Sequence, residues 1–191
     1  QVLGATSPPY IGEAKVAVIV VKFAQTIPIH PDFTIANITE IVKTGPNSVK
    51  NFYEKASFNQ LQFNADVLGI YTLNNSTCGM WCGNDSLAAQ ADQAAAQAKV
   101  NLSKYDIKVY IFPKTSTPSC LVSTAMPDLN QAFVLWDNLS NQKERVRYSI
   151  IHELGHTFGL DHANYLDCKT RSVTTNTDCT RAEYGDDSDV M

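Results

Sequence analysis

The stretch Ile150-Ile-His-Glu-Leu-Gly-His-Thr-Phe-Gly-Leu-Asp-His162 carries three of the four histidines of this 191-residue chain. An α-helix turns once in about 3.6 residues, so His152 and His156 project from one helix face about one turn apart. Gly159 lacks a Cβ and can adopt the left-handed conformation that ends a helix and turns the chain. That turn can bring His162 back toward the other two imidazoles, so the segment predicts a three-histidine metal site.

The same segment predicts the chemistry of the metal. Three neutral imidazoles are typical of a catalytic zinc ion, because they leave the fourth tetrahedral position to water. Glu153 follows the first histidine and lies beside the metal, where its carboxylate can take a proton from a bound water. An isolated H-E-x-x-H also occurs by chance, but here the glycine and the third histidine stand at fixed spacings as well. We therefore expect zinc ligands at His152, His156 and His162 and a general base at Glu153.

The extended motif resembles the metzincin metalloproteases, whose second hallmark is a tight turn that carries a methionine beneath the metal. The chain closes with Glu183-Tyr-Gly-Asp-Asp-Ser-Asp-Val-Met191, and Met191 is the candidate for that turn. Together with Asn51-Phe-Tyr-Glu-Lys-Ala-Ser-Phe-Asn-Gln-Leu61, this ending is most similar to the gametolysin family of secreted peptidases. The resemblance implies an α/β (α+β) metzincin-like fold, in which a twisted mixed five-stranded sheet packs with helices.

Two departures from the resembled pattern affect what it implies. Metzincins continue past the methionine turn into a C-terminal subdomain, whereas this sequence ends at Met191. The expectation is an N-terminal lead over residues 1–14, from which a signal peptide and an inhibitory propeptide have been removed, and a catalytic domain over 15–191 that is truncated at the turn. Some metzincins use a tyrosine shortly after the methionine to assist the transition state. Tyr184 precedes Met191, so that role is not transferred to it.

Composition limits the classes of function. A hydrophobic fraction of 44% and a charged fraction of 18% are ordinary for a folded domain, and the length fits one domain better than two. The net charge of −4 provides no basic face for nucleic acid or for an anionic membrane. No apolar run approaches the roughly 18 residues of a membrane helix, so we expect no membrane span.

The cysteines indicate an oxidising compartment and hence a secreted protein. There are five, so at least one lacks an internal partner: Cys78, Cys82, Cys120, Cys168 and Cys179. The preferred pair is Cys168 with Cys179, which would close the polar loop between the histidine motif and Met191. Cys120 would then pair with Cys78 or with Cys82, and the remaining thiol stays free or finds a partner elsewhere.

Hydrophobic periodicity and residue propensities predict the order of the remaining elements. Strands are expected at residues 15–23, 61–71, 106–112, 120–124 and 131–136, and helices at 47–57 and 85–100, before the helix that carries the histidines. The segment 167–189 is polar and irregular, so a disulfide or a metal must order it.

One predicted strand has a possible role in substrate binding. In the resembled proteases the substrate lies extended along an exposed sheet edge as an added strand. The candidate edge comprises Cys120, Leu121, Val122, Ser123 and Thr124. An ordinary edge strand without that role is the open alternative.

These observations predict a secreted zinc metalloendopeptidase that acts on polypeptides, including cell-wall or extracellular-matrix proteins. Two alternatives stay open. One is a zinc amidase that acts on the peptide cross-links of a cell wall. The other is a noncatalytic cell-surface or adhesion module with a protease fold, against which Glu153 argues, because a binding module has no need of a base.

Overall fold

Where burial is described, the longest uninterrupted buried run lies in the first strand, in which Val16, Ala17, Val18, Ile19, Val20 and Val21 are all fully buried. A strand that is apolar on both faces belongs in the middle of a parallel sheet covered on both sides. In the computed structural model, which describes residues 11–24, 29–74, 85–114, 123–137, 139–168, 179–184 and 189–191, the strand takes that position.

The main sheet has five strands in the order β2-β1-β3-β5-β4. Strands β2, β1, β3 and β5 run parallel to one another, and β4 is antiparallel to β5. The strands are β1 Gly12–Phe23, β2 Leu61–Leu73, β3 Ile107–Pro113, β4 Thr124–Met126 and β5 Gln131–Trp136. This mixed five-stranded sheet confirms the predicted fold class.

Helices cover both faces of the sheet. Helix α3 (Asp85–Gln97) packs its alanine-rich face with Leu87 and Ala91 on one side. The other side is covered by α1 (Ile35–Thr39) with its π-helical continuation Glu40–Thr44, by α2 (Val49–Ala56) and by α4 (Gln142–Thr157). Among the described residues, no helix combines the length and the apolar character needed to cross a membrane.

Several predicted boundaries are wrong by a few residues, and some elements were not expected. Strand β1 begins at Gly12 instead of residue 15, and α3 ends at Gln97 because Lys99 takes a positive φ of 62°. The strand expected at 120–124 is observed at Thr124–Met126, and its earlier residues Cys120–Val122 lie outside the described part. The unexpected elements include the α1 segment and a second sheet made of β6 (Asn164–Cys168) and β7 (Cys179–Glu183).

Helix α4 is held against the sheet by a buried tyrosine on α2. The Tyr53 ring stacks on Phe63 and meets Phe158 edge to face, with ring centroids 5.9 Å and 4.9 Å away. Its hydroxyl donates to the carbonyl oxygen of Ile151, one residue before the first histidine of the motif. Burial raises the pKa of Tyr53, so the hydroxyl stays a donor at every physiological pH. This hydrogen bond ties α4 to α2 next to the first histidine of the motif.

Candidate metal centre and active site

Helix α4 presents two of the three motif histidines on one face, one turn apart. The Nε2 atoms of His152 and His156 lie 3.2 Å apart. The helix ends at Thr157, and Gly159 takes a φ of 87°, the left-handed conformation that the sequence predicts. The turn carries His162 back, so that one ring nitrogen from each of the three residues lies within 4.8 Å of the others.

The outer nitrogen of each ring has its own hydrogen-bond partner. His152 Nδ1 lies 2.8 Å from the carbonyl oxygen of Val190, and His156 Nδ1 lies 2.9 Å from that of Leu160. His162 Nδ1 lies 2.8 Å from a carboxylate oxygen of Glu183. Because these partners can only accept, each Nδ1 carries the proton and each Nε2 keeps its lone pair.

The converging lone pairs fit a metal ion. Two unprotonated nitrogens 3.2 Å apart cannot bond to each other, and a cation between them removes their repulsion. Two ligands at roughly 2.0–2.1 Å from a tetrahedral zinc ion are about 3.3 Å apart, close to the observed spacing. Burial lowers the pKa of His156, which further favours the neutral imidazole that a metal requires.

Glu153 lies beside this cluster and is almost completely buried, with 7% of its surface exposed. Burial raises the pKa of its carboxyl group to about 7. A carboxyl group that titrates near neutrality can both accept and return a proton. It lines a cleft of about 400 Å³ together with Tyr148, Ser149, His152, Tyr184, Asp189 and Met191.

Met191 lies below the histidines. Its side chain is 8% exposed and packs against Gly155 of α4. Its backbone N–H donates to Asp189 at 2.9 Å, and the carbonyl of the preceding residue accepts from His152. The segment that ends at Met191 therefore packs against α4 and orients one candidate ligand, and its assignment as a methionine turn stays a prediction.

The tyrosine that the sequence left without a role is part of the site. The hydroxyl of Tyr184 lies 2.8 Å from Nε2 of His162, and the two rings are 3.9 Å apart. Because Nε2 carries the lone pair, the hydroxyl donates to it. A metal ion held by this nitrogen would take the place of that hydrogen bond.

Comparison with known proteins identifies the family. The family model described as metallo-peptidase family M12 matches residues 13–189. The chain belongs to this family. The match supports a metallopeptidase, and the finer similarity to gametolysin stays a prediction. No curated protein matches the chain.

Solved structures share the fold of this metallopeptidase. Wild-type OgpA from Akkermansia muciniphila superposes with a TM-score of 0.50 at 13% identity, over 87% of this chain and 55% of OgpA. A second crystal form of the same protein gives a TM-score of 0.46 at 14% identity. The chain thus spans about half the length of OgpA, and at this identity the likeness concerns the fold alone.

The β6–β7 hairpin supplies the Glu183 carboxylate that holds His162. Cys168 and Cys179 face each other in its register and form the predicted disulfide, with their Cα atoms 4.0 Å apart. The covalent link joins β6 and β7 at this end of their ladder. The other cysteines, Cys78, Cys82 and Cys120, lie outside the described residues, so their pairing stays a prediction.

We expect the double variant Cys168→Ser/Cys179→Ser to lose about 3 kcal/mol of unfolding free energy. A cross-link that closes a loop of this size restricts the unfolded chain by about that amount. Urea denaturation without reductant measures the loss while the remaining cysteines stay as they are. An unchanged urea midpoint, or either thiol found alkylated in a digest of the unreduced parent, would contradict the pairing.

Gly155→Ala is expected to displace the methionine. A Cβ at this position would lie 2.3 Å from Sδ and 2.9 Å from Cε of Met191. Both distances are shorter than a van der Waals contact allows. Val190 precedes that methionine and orients His152, but the clash falls on the flexible end of the Met191 side chain, which can turn away at small cost. Zinc binding should therefore weaken by less than about tenfold, below the range for outright loss of a contact behind a ligand. Competition titration with a zinc chelator measures it.

The control for Gly155→Ala is the double variant Gly155→Ala/Met191→Ala. The smaller side chain at 191 leaves room for the new methyl group, so part of the lost affinity should return. Equal affinities in the single and double variants would show that the contact between Gly155 and Met191 does not act on the ligand.

Proposed function

We propose that the chain is a secreted zinc metalloendopeptidase of the metzincin type, most similar to the gametolysin family. The observation that carries the proposal is the convergence of three unprotonated Nε2 atoms beside a buried carboxyl group in an open cleft. The catalytic domain is proposed to span residues 15–191 after a lead at 1–14. The proposed substrates are polypeptides, including cell-wall or extracellular-matrix proteins, and an inhibitory propeptide is a further proposed partner.

In the proposed mechanism, His152, His156 and His162 hold zinc through Nε2. Zinc, when bound, polarises the scissile carbonyl and lowers the pKa of water toward neutrality. Glu153 takes the proton of the attacking water and returns it to the departing amine, for which a carboxyl pKa of about 7 is well suited. The backbone carbonyls of Val190 and Leu160 and the Glu183 carboxylate keep the three imidazoles in the binding tautomer.

The substrate backbone is proposed to lie along β4. This strand pairs with β5 on one side and forms an edge of the five-stranded sheet. An extended peptide can add to such an edge through main-chain hydrogen bonds. Of the five residues proposed from the sequence, Ser123 and Thr124 lie at the start of this edge, and Cys120, Leu121 and Val122 lie outside the described residues.

The test is a digest with the purified protein before and after removal of the metal. We expect one zinc per chain by elemental analysis, cleavage of denatured casein, loss of cleavage after dialysis against a chelator, and recovery when zinc is added back. Isolated cell wall is assayed in parallel. Release of cross-link peptides without casein cleavage would favour the amidase, and zinc binding without hydrolysis of either substrate would favour the noncatalytic module.

A further inference from the structure

The charged side chains that line the catalytic cleft are all acidic. They belong to Glu153 and Asp189, and the described lining residues include no lysine or arginine. The sequence from Glu183 to Met191, which supplies three of the lining residues, carries four acidic residues and no basic one. A cleft lined by charges of one sign attracts groups of the opposite sign. The lining therefore favours a cationic group in the substrate.

Asp189 has a carboxylate oxygen to offer such a group. Its Oδ1 accepts from the backbone N–H of Met191 at 2.9 Å. Among the described residues, no hydrogen bond or ion pair engages its Oδ2. The side chain is exposed and lines the cleft, so Oδ2 can accept from a bound cation without giving up the contact to Met191.

Tyr148 adds an aromatic face to the same cleft. The ring is 51% exposed. It stacks on the ring of His152, and the two ring centroids are 6.3 Å apart. The face of a tyrosine ring attracts ammonium and guanidinium groups through its negative charge distribution. A cation in the cleft would therefore find both a carboxylate and an aromatic ring.

Asp189 and Tyr148 both lie within reach of a residue beside the scissile bond. Tyr148 precedes His152 by four residues, about one helical turn or 5.4 Å along the axis. Asp189 is next to Val190, whose carbonyl oxygen lies 2.8 Å from Nδ1 of His152. Lysine and arginine carry their charge at the end of a long stem. The charge can thus meet Asp189 while the backbone of the same residue lies at the metal site.

We propose that the cleft holds the cationic side chain of a substrate residue next to the scissile bond, and that Asp189 selects it. Arginine is a better match than lysine, because its planar guanidinium stacks on an aromatic ring and donates to a carboxylate at the same time. The inference rests on the proposed peptidase function and adds to it the class of substrate.

The test uses fluorogenic peptides that differ only at the two residues flanking the cleaved bond. Arginine and lysine are compared with methionine, which is long but uncharged, and with glutamate. At one of the two positions we expect kcat/KM for arginine to exceed that for methionine by at least about fivefold, because an exposed ion pair and a cation–π contact each contribute a modest factor. Glutamate should be the poorest of the four. Equal or higher rates for methionine at both positions overturn the proposal.

A variant and a matched control assign the preference to Asp189. Asp189→Asn keeps an Oδ1 that accepts from Met191 but removes the charge, so the ratio of arginine to methionine rates should fall by at least about threefold. Glu40→Gln removes one negative charge outside the cleft, where Glu40 pairs with Lys143, and should leave the ratio intact. An unchanged ratio in Asp189→Asn, or an equal fall in both variants, overturns the assignment.

The salt dependence of the preference tests the charge with Asp189 in place. Raising NaCl from about 0.01 M to about 1 M shortens the screening length from roughly 30 Å to 3 Å. The ratio of arginine to methionine rates of the parent protein should fall by at least about twofold over this range. A ratio that does not change with salt overturns an electrostatic origin of the preference.

Binding without turnover separates the cleft's preference from the peptidase reaction. Zinc-loaded Glu153→Gln protein should bind the arginine peptide at least about fivefold more tightly than the methionine peptide, and equal Kd values overturn the subsite. Zinc binding by the parent without cleavage of casein or any peptide would instead refute the proposed peptidase. Cleavage of all four peptides at equal rates would refute the subsite alone.

Discussion

His156→Ala is expected to abolish both zinc binding and peptide hydrolysis while the domain stays folded. The variant removes one of the three converging nitrogens. The two ligand nitrogens that remain, on His152 and His162, are too few to hold the ion. Contacts behind a ligand already contribute about 10–100-fold to metal affinity, so loss of the ligand itself should cost at least about 100-fold. Elemental analysis after reconstitution, chelator competition and a casein digest measure the two losses.

Two further variants make this result specific. His30→Ala removes the only histidine outside the motif, whose Nδ1 accepts from the N–H of Asp32 in a loop, and should leave zinc content and activity unchanged. Glu183→Ala removes only the carboxylate behind His162 and should weaken zinc binding to an intermediate degree, by about 10–100-fold. Parent-like zinc affinity in His156→Ala would show that the three imidazoles do not form the site.

The helix of the site could be predicted from sequence because its determinants are local. The spacing of His152 and His156 fixes their shared face on any α-helix, and a glycine at 159 permits the left-handed turn that the structure shows. The central strand could be predicted as well, since a continuous run of β-branched residues is typical of a strand that is buried on both faces of a sheet. Predicting this helix, its turn and the central strand requires no information about the rest of the chain.

The surroundings of the site depend on residues far apart in sequence and could not be predicted. The second sheet was expected to be irregular, because Asn164–Cys168 and Cys179–Glu183 are polar and become strands only by pairing with each other across the disulfide. Glu183 is an exposed acid whose role appears only once His162 is folded back against it. No local pattern marks such a partner.

The same limit applies to the buried side chain of Gln142. In the sequence, Gln142 begins a charged helical segment and resembles an ordinary solvent-exposed residue, with Lys143, Glu144 and Arg145 after it. It is buried because the ends of β4 and β5 pack over this turn of α4. A buried amide without a partner in the described part of the chain is visible only in three dimensions.

Glu153→Gln is expected to keep zinc and the fold but to lose nearly all peptide hydrolysis. Glutamine has the size and hydrogen-bonding capacity of glutamate, but it has no carboxylate that can accept the proton. Zinc should stay bound because Glu153 is not one of the three histidines of the metal site. A positioned acid–base group typically contributes about 10²–10⁴-fold, so kcat should fall by that factor.

For Glu153→Gln, casein cleavage and zinc content are measured on the same sample. His156→Ala serves as the comparison, because it should lose both zinc and cleavage. Because the Glu153 carboxyl is buried and its pKa is raised, the neutral amide should also raise the unfolding free energy slightly, since no charge then has to be buried. A Tm at or above that of the parent would show that the loss of activity does not come from unfolding. A folded, zinc-loaded Glu153→Gln protein that cleaves casein at close to the parent rate would show that another group accepts the proton.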